Sequence, residues 1–118
     1  MANSETAEPC DGFWSGIAGI RTGYLADVPA HLLVLKLAEE VGEVAEAYIG
    51  MTGGNPRKGV HKTLEDVLDE LADVILSAAV PMVELAGGPG QAAQHLAERL
   101  GVVSARGAAT TPDTATAD

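Results

Sequence analysis

Two stretches decide the reading of this chain: Leu35-Lys36-Leu37-Ala38-Glu39-Glu40-Val41-Gly42-Glu43 and, after 26 intervening residues, Glu70-Leu71-Ala72-Asp73-Val74-Ile75. Both carry apolar residues at spacings of three and four, the period of a helix with one buried face. The first row runs Leu33, Leu37, Val41, Val44, Tyr48, and the second runs Leu64, Val67, Leu71, Val74, Ala78. On a wheel with Lys36 at zero, Glu40 falls at roughly 40° and Glu43 at roughly 340°, beside an apolar arc from roughly 60° to 180°. With Asp66 at zero on the second stretch, Glu70 and Asp73 take the same two angles beside an equivalent arc. Each helix therefore carries two carboxylates at the border of its buried face. An antiparallel hairpin brings Glu40, Glu43, Glu70 and Asp73 together.

Four converging carboxylates cannot all stay ionised without cations. Oxygen-only ligand sets favour hard divalent ions, Mg²⁺ or Mn²⁺. A solvated acidic face is the ordinary reading of a single Glu-x-x-Glu, but two matched pairs beside apolar arcs favour a metal site. A ferritin-like di-iron centre needs Glu-x-x-His pairs. None is present, since His31, His61 and His95 follow Val28, Lys58 and Ala92 by three.

Working outward, Pro29 suits the first turn of the first strong helix, and Gly53-Gly54-Asn55-Pro56 stops it. Thr63 is a good N-cap for the second, with Glu65 and Asp66 in its first turn. A shorter helix is expected over about residues 11–24, with Phe13, Ile17, Ile20 and Tyr24 on one row. A fourth is expected over about Gln91 to Leu100, with Leu96 and Leu100 inward. No segment alternates with period two, so the fold class is all-α, a bundle of about four helices. Residues 1–9 and the Ala/Thr/Asp-rich 104–118 read as disordered tails flanking one helical domain, 10–103.

The 118 residues suit one domain. With 7 Lys+Arg against 17 Asp+Glu the net charge is −10, which repels a nucleic-acid polymer. Neither a membrane span nor a basic leader is apparent, and the single Cys10 excludes an internal disulfide, so a cytoplasmic chain is the expectation. Arg57, Lys58 and Lys62 are three of the seven basic residues and lie in the loop between the acidic helices. Arg57 and Lys58 suit contact with phosphate groups. Lys36 is a candidate for phosphate as well, or for an ion pair with Glu40. Trp14 is the best-placed aromatic residue for stacking on a base, against the more ordinary role of a core tryptophan.

The double motif, Glu39-Glu40-Val41-Gly42-Glu43 followed by Glu70-Leu71-Ala72-Asp73, resembles the signature of MazG-like nucleoside triphosphate pyrophosphohydrolases, in the all-α NTP pyrophosphatase superfamily. Gly54-Asn55-Pro56-Arg57-Lys58-Gly59 is similar to a basic loop of one subgroup. The resemblance covers about residues 30–85. It implies a helical bundle completed as a homodimer or homotetramer, which converts NTP or dNTP, modified nucleotides included, to the monophosphate and pyrophosphate with Mg²⁺. It implies Glu40, Glu43, Glu70 and Asp73 as metal ligands, and Glu39 as a catalytic group that either supports those ligands from behind or helps position the attacking water. The competing class is a non-catalytic MazG-like module that binds nucleotide or a protein partner.

Overall fold

The computed structural model describes residues 12–110, which form four α-helices: α1 (Phe13–Thr22), α2 (Ala30–Thr52), α3 (Leu64–Ala86) and α4 (Pro89–Thr110). There are no strands among these residues. The expected all-α class and helix number hold.

Local chemistry sets the boundaries. Pro29 is extended (φ −60°, ψ 145°) and α2 begins immediately after it. At the other end Gly53 takes the left-handed conformation (φ 73°), and its amide closes the last turn on the Ile49 carbonyl. Thr63 and Asp66 form a reciprocal capping box: the Asp66 amide donates to Thr63 Oγ1 at 3.1 Å, and the Thr63 amide donates to Asp66 Oδ2 at 2.9 Å.

The α2–α3 hairpin is antiparallel, as facing residues show. Gly50 lies opposite His61 and Lys62, Glu40 and Glu43 meet Glu70, and Leu33 shares a cavity wall with Ser77 and Val80. The amides of His61 and Lys62 both donate to the Gly50 carbonyl, at 2.9 and 3.3 Å. A Cβ on Gly50 would stand 2.5 Å from Lys62 Cγ and 3.1 Å from the His61 ring, so the chain returns over this point only because it is glycine.

The core lies toward the other end of the hairpin. Ile17, Leu33, Ala79, Val80, Val83 and Ala92 are buried together, one or more from each helix. Ile17 is 1% exposed, and burying such a side chain contributes about 1.5–3 kcal/mol. Pro81 sits inside α3 and is buried. Lacking an amide hydrogen, it leaves the Ser77 carbonyl without its intrahelical bond.

The turn from α1 to α2 is held by one guanidinium. Arg21 Nη1 donates to the carbonyls of Leu25 (2.6 Å) and Val28 (3.0 Å), while its Nε donates to Glu84 Oε1 on α3 (2.8 Å).

Three expectations change. Helix α1 stops at Thr22, so Tyr24 leaves the apolar row and is 89% exposed. Helix α4 continues to Thr110, so residues 104–110 are helical where a disordered tail was expected; residues 1–9 and 111–118 lie outside the described set. Leu96 and Leu100 are exposed: Ala92 is the buried residue of α4, while Leu96 and Leu100 line an open cavity opposite Phe13 and Trp14. The apolar arcs of α2 and α3 are wider than one protomer covers, and Val41, Tyr48, Leu71 and Ile75 remain exposed.

Candidate metal centre

Glu40 and Glu43 stand one turn apart on α2, and Glu70 faces them from α3. One carboxylate oxygen from each lies within 4.8 Å of the others. Burial is graded: Glu40 is 8% exposed, Glu70 is half-buried and Glu43 is exposed. The group thus opens to solvent on the Glu43 side.

The bonding of these oxygens is incomplete. Lys36 Nζ donates to Glu40 Oε1 at 3.0 Å. Glu40 Oε2 and Glu70 Oε1 are buried with no hydrogen-bond partner. Buried carboxylate oxygens without partners are costly and rare. A hard divalent cation matches this donor set, because it accepts several carboxylate oxygens at once and neutralises their charge.

The electrostatics agree. The charge on Glu40 is the main cause that pushes the Glu43 carboxyl above its ordinary value, with partial desolvation and the Glu70 charge adding to it. The Lys36 ammonium is held above its usual value, first by its hydrogen bond to Glu40 and then by the charges of Glu40, Glu39 and Glu43. Glu39 is exposed and outside the carboxylate trio.

Asp73, the fourth expected ligand, is not part of the trio. It stands one turn beyond Glu70 and lines a cavity of about 440 Å³ whose wall it shares with Glu40 and Lys36. Ser77 adds a hydroxyl to the same wall, and the remaining surface is apolar, including Leu25, Leu33 and Val80. Glu40 therefore joins the trio to a pocket between α1, α2, α3 and the α1–α2 turn, and Glu43 and Glu70 lie outside its wall.

The other expected residues lie elsewhere. Trp14 packs edge-on against Phe13, with ring centroids 5.0 Å apart, and both line a different cavity against α4. It is not at the carboxylate pocket; the aromatic residue there is Tyr24. Arg57 and Lys58 are exposed in the α2–α3 loop, which Asn55 shapes: its Oδ1 accepts from the Arg57 amide, and its carbonyl accepts from the amides of Lys58 and Gly59. Gly50, where this loop begins to fold back, is seven residues beyond Glu43, or about 10 Å along the axis at helical rise. Lys36 is the only cation paired with the trio among the described residues.

Reasoning from the sequence missed Tyr24, Leu25 and Ser77. Ser77 was within reach, being one turn beyond Asp73 on the same face. Tyr24 was not, because its direction depends on where α1 ends.

No protein-family model matches the chain, and neither a curated protein nor a solved structure does.

Proposed function

We propose that the chain is a Mg²⁺-dependent nucleoside triphosphate pyrophosphohydrolase of the MazG-like kind, releasing a nucleoside monophosphate and pyrophosphate from NTP or dNTP. The observation that carries this reading is the trio Glu40, Glu43 and Glu70 with two buried, unpartnered oxygens beside a pocket of nucleotide-binding size. The spacing of Glu39-Glu40-x-x-Glu43 and Glu70-x-x-Asp73 supports it.

Glu40, Glu43 and Glu70 would hold Mg²⁺ or Mn²⁺, with Asp73 presenting a further carboxylate from the pocket wall. A bound divalent ion polarises phosphoryl oxygens and acidifies a bound water. Glu39 positions the attacking water. The water oxygen bonds to the α-phosphorus as the bond to the α–β bridging oxygen breaks, and the electron pair leaves with pyrophosphate. Lys36 meets the phosphates on the pocket side of Glu40. A second copy of the chain covers Val41, Tyr48, Leu71 and Ile75, making the active form a homodimer or homotetramer.

The test is pyrophosphate release from mixed dNTPs with Mg²⁺, against EDTA and against Glu43→Gln, which retains helix propensity. Release that needs Mg²⁺ and is largely lost in the variant supports the reading. Full activity in EDTA or in Glu43→Gln overturns it.

A further inference from the structure

The pocket beside the carboxylates has a feature that phosphate chemistry alone does not use. Its wall is mostly apolar, and an aromatic ring stands at its mouth. That ring, Tyr24, is 89% exposed, so it contributes almost nothing to the core. Yet the turn that bears it is fixed: Arg21 holds the carbonyls of Leu25 and Val28, one and four residues after Tyr24, and ties them to Glu84 of α3. An exposed aromatic residue on a pinned turn, among the residues lining a mostly apolar cavity, is a preorganised platform. Ordering of the platform is completed on folding, so a ligand that stacks there does not bear that cost.

Glu40 belongs both to the trio and to the cavity wall, so the two regions are continuous. The cavity's 440 Å³ lies in the range of small-molecule sites. A ligand whose phosphates reach the trio thus has its other half beside Tyr24. That half must be planar and apolar-faced, with a polar edge that suits Ser77.

We infer that Tyr24 is the stacking platform for the heterocyclic base of the nucleotide, with the Ser77 hydroxyl meeting a polar group of the nucleoside. The inference rests on the nucleotide reading above and deepens it: the ring that selects for a base is on the α1–α2 turn, not on α1 at Trp14. Stacking tolerates any base, because every base has a π-face. Tyr24 therefore sets the preference for nucleotide over simple polyphosphate, while Ser77 is the neutral polar group left to meet the nucleoside.

The experiment is calorimetric titration in Ca²⁺, which limits turnover, with dATP, dTTP and inorganic tripolyphosphate as probes. Wild type is expected to bind both nucleotides more tightly than tripolyphosphate. Tyr24→Ala should weaken nucleotide binding about tenfold, on the scale of a lost base–aromatic stack, and leave tripolyphosphate binding unchanged. Tyr24→Phe should restore the nucleotide preference, since the ring and not the hydroxyl carries it. Because Tyr24 is exposed, the alanine variant keeps the core intact. If tripolyphosphate binds wild type as tightly as the nucleotides do, or if Tyr24→Ala keeps the nucleotide preference, the platform is refuted while the metal site stands. A Tyr24→Ala chain of altered molecular mass with unchanged nucleotide preference assigns Tyr24 to a subunit contact and also refutes it. If wild type binds none of the probes, the nucleotide reading itself falls, and the platform with it.

Discussion

Lys36 Nζ approaches Glu40 Oε1 to 3.0 Å across one turn of α2, and this ion pair satisfies only half of the buried carboxylate. The other oxygen, Oε2, is buried without a partner, as is Oε1 of Glu70, a second member of the same trio. One ammonium against three carboxylates leaves an excess of negative charge where the surroundings are partly desolvated. The charge imbalance disfavours the metal-free fold, and the proposed divalent ion would relieve it.

That imbalance predicts stabilisation by divalent ions. Mg²⁺ or Mn²⁺ at about a hundred times its dissociation constant should add about 2.7 kcal/mol. For a domain of this size this corresponds to a rise in Tm of very roughly 10–20 °C. Differential scanning fluorimetry with and without the ion reads it directly. Glu70→Gln should abolish most of the rise, and an unchanged rise in that variant removes Glu70 from the centre.

The acidic group also predicts a pH dependence of metal-free stability. The carboxyl of Glu43 is raised in the folded chain, foremost by the charge on Glu40. Such a group contributes stability that is fully present below its ordinary value and is lost as pH rises through the folded one. In EDTA the protein should melt at a higher temperature near pH 5 than near pH 7, as far as this group is concerned. Asp66 acts the other way in a lower window. Its hydrogen bonds within the Thr63 cap hold its carboxyl below the ordinary value, so its contribution is lost only as pH falls below about 4. Glu43→Gln should flatten the upper limb, and a variant with the wild-type slope there assigns that limb to another group.

Arg21 predicts an asymmetry between two partners of one salt bridge. Arg21→Ala leaves the carbonyls of Leu25 and Val28 without their donor and should cost about 2–3 kcal/mol, the scale of charged hydrogen bonds. Glu84→Ala removes only a half-exposed carboxylate, while the backbone acceptors stay bonded, and should cost under about 1 kcal/mol. Urea unfolding of the two variants measures the difference; equal losses show that the carboxylate, not the turn, is what Arg21 serves.

The basic loop predicts a contrast with Lys36. Arg57 and Lys58 are exposed beyond the far end of α2 from the pocket, so Arg57→Ala and Lys58→Ala should keep kcat and KM within about twofold. Lys36→Met, at the trio, should raise KM by roughly tenfold, the size of one charged contact. Tenfold losses in the loop variants instead show that the loop of a second copy reaches the site.

The two central helices were legible because three kinds of local signal agree along them. The apolar period, the Pro29 and Thr63 starts and the Gly53 stop point to the same elements, and the wheel then puts Glu40, Glu43 and Glu70 on facing borders. Less could be read where one signal stands alone. Residues 104–110 have no apolar period, yet α4 continues through them, with Ala105, Arg106 and Ala108 as good helix formers. Trp14 and Tyr24 are both aromatic residues near one short helix, and only its packing against α3 and α4 decides which ring meets the pocket. The place of Asp73 was similarly out of reach. A wheel fixes an angle about one axis, whereas the trio depends on how far α3 is displaced along α2.

That displacement is set far from the carboxylates, at Gly50. The chain closes over it through two bonds to its carbonyl, with no room for a side chain. Sliding α3 by one residue would move Glu70 about 1.5 Å past Glu40. That is several times the difference between the oxygen distances preferred by Mg²⁺, about 2.0–2.1 Å, and Ca²⁺, about 2.3–2.6 Å. The alignment of Glu70 with Glu40 is therefore tied to a glycine that touches neither residue, and an enlarged side chain at Gly50 would be felt at the acidic trio as well as at the loop.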